Sequence, residues 1–169
     1  MRSVRSLSQL VVIDLLVLWV IFLIPGISHL TKVPFYYLEP MRFLLLLSIF
    51  FTMSKPNTLL LGILIPVFSW VVSGHPLFIK ALLICAELLI NGYLMMLFLD
   101  KRWNLIPALT FSIVISKVFY YLLKYLAVLT GVLPMEIIST DLRIQCISIL
   151  IITIILFILF RKKTFNRNV

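Results

Sequence analysis

Six apolar runs, each closed by a helix breaker, limit what this chain can fold into more than any other feature. They cover about residues 7–25, 41–54, 57–74, 76–99, 103–130 and 142–160. Runs of such length with so few charges signal helices that cross a lipid bilayer. Between them stand Pro25-Gly26, Pro40, Lys55-Pro56-Asn57, Gly74-His75-Pro76, Asp100-Lys101-Arg102 and the stretch from Gly131 to Asp141. Each separator holds a helix stop or an N-cap candidate such as Asn57 or Asp141. No linker is long enough to divide the chain into domains, and no repeat is visible. Residues 1–169 therefore read as one integral membrane domain, an all-α bundle of six transmembrane helices. Composition agrees, since 63% of residues are hydrophobic and 12% charged, unlike a soluble domain.

The formal charge of +9 does not point to nucleic acid, because the basic residues gather at helix ends, where anionic headgroups lie. Cys85 and Cys146 fall inside apolar runs with no CxxC or Cys/His cluster, and read as small buried apolar residues. Arg2 and Arg5 precede the first run as in a signal peptide. The residues after it, Ile24-Pro25-Gly26-Ile27, make a poor cleavage site, so a retained first helix is expected.

Orientation follows from the placement of Lys and Arg. With a cytoplasmic N-terminus, six crossings return the C-terminus to the same side. That side then holds Arg2, Arg5, Lys55, Lys101, Arg102, Arg161, Lys162, Lys163 and Arg167, against Lys32, Arg42, Lys80 and Arg143 outside. The positive-inside rule favours this arrangement, with both termini in the cytosol. The closing RKKTFNR reads as a stop-transfer anchor.

The second run is short. From Met41 to Ser54 it makes about 21 Å of helix, less than a hydrocarbon core of about 30 Å. A helix this short is expected inside a bundle beside a cavity, not facing lipid. Pro66 should bend the next helix. Together they would leave room at one membrane face.

Charged residues inside a bilayer cost about 2.5–3.5 kcal/mol each on insertion scales, so each calls for a partner. Glu87 precedes Asp100 by 13 residues and Lys117 follows Arg102 by 15, which puts both about 20 Å from the same membrane face. An ion pair between them, direct or through water, is expected. Lys80, Glu87 and Asn91 share one helix face, and Lys117, Tyr120, Tyr121 and Lys124 share another. The two stripes either enclose a hydrated crevice or fasten two helices together. Lys80 and Lys124, nearer the interface, are expected to snorkel toward water. Asp14, in the first helix, has no visible partner and reads as a hydrogen-bonded structural group, with a coupling-ion or proton site as the alternative.

The outer loops add aromatic and charged groups. VPFYYLEPMR supplies Phe35, Tyr36, Tyr37, Glu39 and Arg42, and SWVVSGHP supplies Trp70 and His75. Such rings can form an interfacial belt, or can converge with a guanidinium and an imidazole on one solute. With only His29 and His75 in the chain, no metal centre or other cofactor is expected. There is no HExxH, GxSxG or Walker motif, so the chain does not read as an enzyme.

Pro40-Met41, Ser54-Lys55-Pro56, Gly62, Pro66 and Ser73-Gly74-His75-Pro76 occur in that order. Glu87 and Gly92 follow in AELLINGY, and Lys117 and Tyr120 in SKVFYY. Over residues 34–128 this pattern resembles the substrate-binding S-components of energy-coupling factor (ECF) transporters, small membrane proteins that capture vitamins and other micronutrients. The resemblance implies six helices and a solute pocket near the outer face, built from the first outer loop and helices 4 to 6. It also implies a T-component and two ATPase subunits as partners. The first helix, LVVIDLLVLWVIF, lacks the small-xxx-small pattern common at S-component docking sites. Candidate solute contacts are Tyr36, Tyr37, Arg42, Trp70, His75, Lys80, Glu87, Asn91, Lys117, Tyr120 and Tyr121. The external basic groups hint at an anionic small-molecule substrate. The alternative is a scaffold of cell-shape or cell-wall assembly, similar to the rod-shape-determining MreD proteins in size, hydropathy and basic tail.

Overall fold

A computed structural model describes residues 7–32, 35–74, 76–133 and 141–165. Among the described residues the chain is all-helical. The helices are α1 (Leu7–Thr31), α2 (Pro40–Thr52), α3 (Lys55–Ser73), α4 (Phe78–Asp100), α5 (Leu105–Leu129) and α6 (Leu142–Phe165). A 3₁₀ turn, Phe35–Leu38, precedes α2. All but α2 are long and apolar enough to cross a membrane.

The short α2 is the inner helix. Its 13 residues span about 20 Å. It packs against α1, α3, α4 and α6. Leu45, Leu46 and Ile49 are wholly enclosed. Its two hydroxyls are satisfied within the helix, Ser48 Oγ donating to the Leu45 carbonyl (2.8 Å) and Thr52 Oγ1 to that of Ser48 (2.9 Å). Being surrounded by protein, it need not match the bilayer thickness, as its length in the sequence requires.

Local chemistry sets the helix ends. Pro40 opens α2 at a position where its missing N–H costs no hydrogen bond. Ser54, not Asn57, caps α3: its Oγ accepts from the Asn57 N–H at 3.5 Å. The Asn57 side chain is thereby left to reach α1. Gly74 closes α3 at φ 66°, a left-handed conformation that glycine adopts without strain. Asp141 caps α6, its Oδ1 accepting from the Arg143 N–H at 2.9 Å.

One expected stop does not stop the helix. α1 continues through Pro25-Gly26 for a further turn and a half, to Thr31. Proline forfeits a single backbone bond there, and the residues on either side of it keep theirs, so the helix runs on. The other boundaries lie within about three residues of those read from sequence, apart from the C-terminal end of α6, which runs on to Phe165. The side chains of residues 161–165, and with them most of the basic tail, lie outside the described residues, as do Arg2 and Arg5.

Two glycines let α3 and α4 approach closely. A Cβ on Gly92 would meet Thr58 Cγ2 at 2.6 Å, and one on Gly62 would meet Leu89 Cδ2 at 3.2 Å. Small residues permit such close contact between membrane helices, where packing replaces the hydrophobic effect. On the other side of α4, Asn91 Nδ2 donates to Ser112 Oγ of α5 at 3.4 Å. Phe50 of α2 stacks on Phe160 of α6, with centroids 4.5 Å apart.

The bundle has two distinct ends. At one, Ser148 Oγ of α6 donates to the Tyr37 carbonyl in the 3₁₀ turn, at 2.6 Å. At the other, Lys55 at the start of α3 pairs with Asp100 at the end of α4, at 2.8 Å. The first is called the turn end below, the second the far end.

Candidate functional site

At the turn end, α2, α4, α5 and α6 enclose a cavity of about 420 Å³. That volume lies within the range of about 300–1,000 Å³ occupied by small-molecule sites. Two acids and two bases in its wall form one connected cluster. Arg42, near the start of α2, donates to Glu39 with one guanidinium nitrogen and to Glu87 of α4 with another. Lys117 of α5 binds the second oxygen of Glu39, and its Nζ also lies 3.8 Å from Glu87 Oε1. The cluster ties α4 and α5 to the entry of α2.

Sequence spacing places these residues at the turn end. Arg42 follows Glu39 by three positions, so one turn of backbone brings them together. Glu87 and Lys117 do share a depth, as their distances from the α4–α5 turn require. Lys117, however, makes its closer contact with Glu39, and the closest partner of Glu87 is Arg42. Arg42 and Glu87 are almost wholly removed from solvent, at 2% and 5% exposure. Charges at that depth persist only with a partner in hand.

Tyr37, Tyr120 and Tyr121 add aromatic surface to the wall. Tyr120 and Tyr121 meet edge to face, with centroids 5.4 Å apart, and Tyr121 is hydrogen-bonded to Gln145 of α6. Lys80, in the first turn of α4, is the fifth charged group lining the cavity. It has no ion-pair partner among the described residues.

Other expected contacts lie elsewhere. Trp70 does not line the cavity; its ring packs on Phe78 across the α3–α4 turn, with centroids 4.9 Å apart. Asn91 is fully enclosed between α4 and α5 and held by Ser112, a turn below the cavity. Lys124 is buried instead of snorkelling. Seven residues after Lys117, it repeats that residue's inward facing. His75 and the side chain of Tyr36 lie outside the described residues. Asp14 has a partner after all, since Asn57 Nδ2 donates to its Oδ1 at 2.9 Å.

Among the wall residues that were not expected contacts, two carry polar or charged side chains, Glu39 and Gln145. Glu39 had a signal, its i,i+3 spacing to Arg42. Gln145 had a fainter one, a polar side chain one turn beyond the Asp141 cap.

Among the described residues no three His, Cys, Asp or Glu side chains converge on a metal position. The cavity offers guanidinium, ammonium, carboxylate and phenol groups around a partly apolar space. Such a wall can bind and orient a charged small molecule. The described fold is an all-helical bundle with five helices apolar enough to cross a membrane, compatible with a multi-pass membrane protein, and it carries a charged chamber at one end. Comparison with family models, curated proteins and solved structures finds no match to this chain.

Proposed function

We propose that this protein captures a small water-soluble solute in the turn-end cavity and serves as the substrate-binding subunit of a micronutrient uptake system of the ECF type. The cavity is the observation that carries the reading. Among the described residues, five charged and three tyrosyl side chains line about 420 Å³ of space inside a largely apolar bundle. Keeping ionised groups at that depth costs several kcal/mol unless they are paired, so a merely structural bundle gains little from them.

In this reading all six helices lie in the membrane, with α2 enclosed by the others. The positive-inside rule puts Lys55, Lys101 and Arg102 at the cytoplasmic face and the cavity at the outer one. The chain binds and presents the solute and carries out no chemistry on it. Transport would draw on ATP hydrolysis in two ATPase subunits, coupled through a membrane T-component.

Native mass spectrometry of protein released from lipid nanodiscs tests the reading, alongside a thermal-shift screen of water-soluble micronutrients. The expected result is a small-molecule adduct, or a stabilising solute, that is lost on Tyr120→Ala. A bare protein mass together with no stabilisation by any solute would contradict it and favour the scaffold.

A further inference from the structure

Among the described residues, the charges lining the cavity do not cancel. Glu39, Arg42, Glu87 and Lys117 are two acids and two bases engaged with one another. Lys80 stands on the same wall with no ion-pair partner among the described residues, which leaves one positive charge in excess.

The two acids differ. Glu87 sits mid-helix, with a side chain 7% exposed, whereas that of Glu39 is 18% exposed. Glu39 is also the single residue joining the 3₁₀ turn to α2, and its backbone lies at φ 49°, ψ 55°. That left-handed conformation is disfavoured for a residue with a side chain, and a following proline disfavours helical conformations further. Its carboxylate supplies some of what holds it there, one oxygen on Arg42 and the other on Lys117. A protein carboxylate on a strained junction therefore occupies the place where a solute's acid group would meet Lys117.

We infer that the cavity takes an organic monoanion with an apolar or aromatic body, its acid group held by Lys80 and Lys117, and that Glu39 is the internal carboxylate this group displaces. The inference rests on the solute-capture reading above and specifies its substrate class. Tyr120 and Tyr121 supply surface for the body of the molecule, and Lys80 supplies the unbalanced charge. Displacement would free the strained Glu39 junction and so link binding to movement of the 3₁₀ turn.

Three probes of nearly one shape separate the charge classes: indole-3-acetate, indole-3-acetamide and tryptamine. They would be titrated calorimetrically into nanodisc-embedded protein. Indole-3-acetate should bind about tenfold or more tighter than the acetamide, as for a charge-assisted contact, and tryptamine weakest. Lys80→Gln, which breaks no ion pair, should erase the preference for the acid. Glu39→Gln should tighten binding of the acid and leave the acetamide unchanged. Equal or tighter binding of the amide or amine would overturn the inference, as would selective loss of acid binding in Glu39→Gln. Should Glu39→Gln not fold, the Lys80→Gln result decides. If none of the three binds but the thermal screen yields a solute, that solute's charge decides, a neutral or cationic one overturning the inference. If no probe binds and the native mass carries no adduct, the solute-capture reading beneath the inference fails instead.

Discussion

Arg42 and Glu87 stand 45 residues apart in the chain, yet the guanidinium of one donates to the carboxylate of the other inside the bundle. The contact joins the shortest helix to α4, and the same guanidinium holds Glu39. Replacing Arg42 by Met would leave two carboxylates facing each other with only Lys117 to share. Breaking a buried pair from one side costs about 3–5 kcal/mol. Arg42→Met should therefore unfold at much lower denaturant than wild type, and adding Glu87→Gln should recover much of the loss. Equilibrium unfolding of the single and double variants in mixed micelles measures both.

The exposed pair at the far end should behave in the opposite way. Lys55 and Asp100 are 2.8 Å apart, but the lysine side chain is 60% exposed. Water and salt screen such a pair, which is worth less than about 1 kcal/mol. Lys55→Gln should leave stability nearly unchanged in the same unfolding assay, and raising the salt concentration should remove what difference there is.

Gly92 tests the α3–α4 contact. A methyl group there would lie 2.6 Å from Thr58 Cγ2, so Gly92→Ala should destabilise by about 1–3 kcal/mol. Thr58→Ser deletes that methyl while keeping the hydroxyl that donates to the Ser54 carbonyl at 2.9 Å. The double variant should therefore be more stable than Gly92→Ala alone. Thermal denaturation of the four proteins checks the reversal.

Asp14 and Asn57 tie α1 to α3 through one polar contact. Polar contacts of this kind are worth about 0.6–2 kcal/mol in membranes. Asn57→Leu should cost at least that much, because it leaves a carboxylate without its donor. Adding Asp14→Leu should restore stability toward wild type, as measured by the same unfolding curves.

The existence of the helices was legible in the sequence, because hydropathy and Pro/Gly punctuation report what enters the bilayer. So was the depth of the charges, since rise per residue fixed Glu87 and Lys117 at one level. Azimuth and neighbourhood were not legible. Nothing local in α2 shows that Arg42 turns toward α4, and an arginine one turn from a loop resembles an interfacial one. Trp70 and Asn91 share the depth or the face of true wall residues, yet the rotation and packing of their helices turn them onto Phe78 and Ser112. Pro25 misleads for another reason: a proline removes one backbone hydrogen bond and need not end the helix that contains it.

The central claim is that the turn-end chamber holds water within the membrane-embedded bundle, and cysteine labelling tests it most directly. In a Cys85→Ala, Cys146→Ala background, Ile84→Cys places a thiol on the chamber wall, whereas Val118→Cys places one on the 65% exposed outer face of α5. The nanodisc-embedded variants would be treated with a charged, membrane-impermeant methanethiosulfonate. Rapid modification at position 84 with none at 118 is the predicted result. A thiol at 84 as inert as the one at 118 would contradict the account.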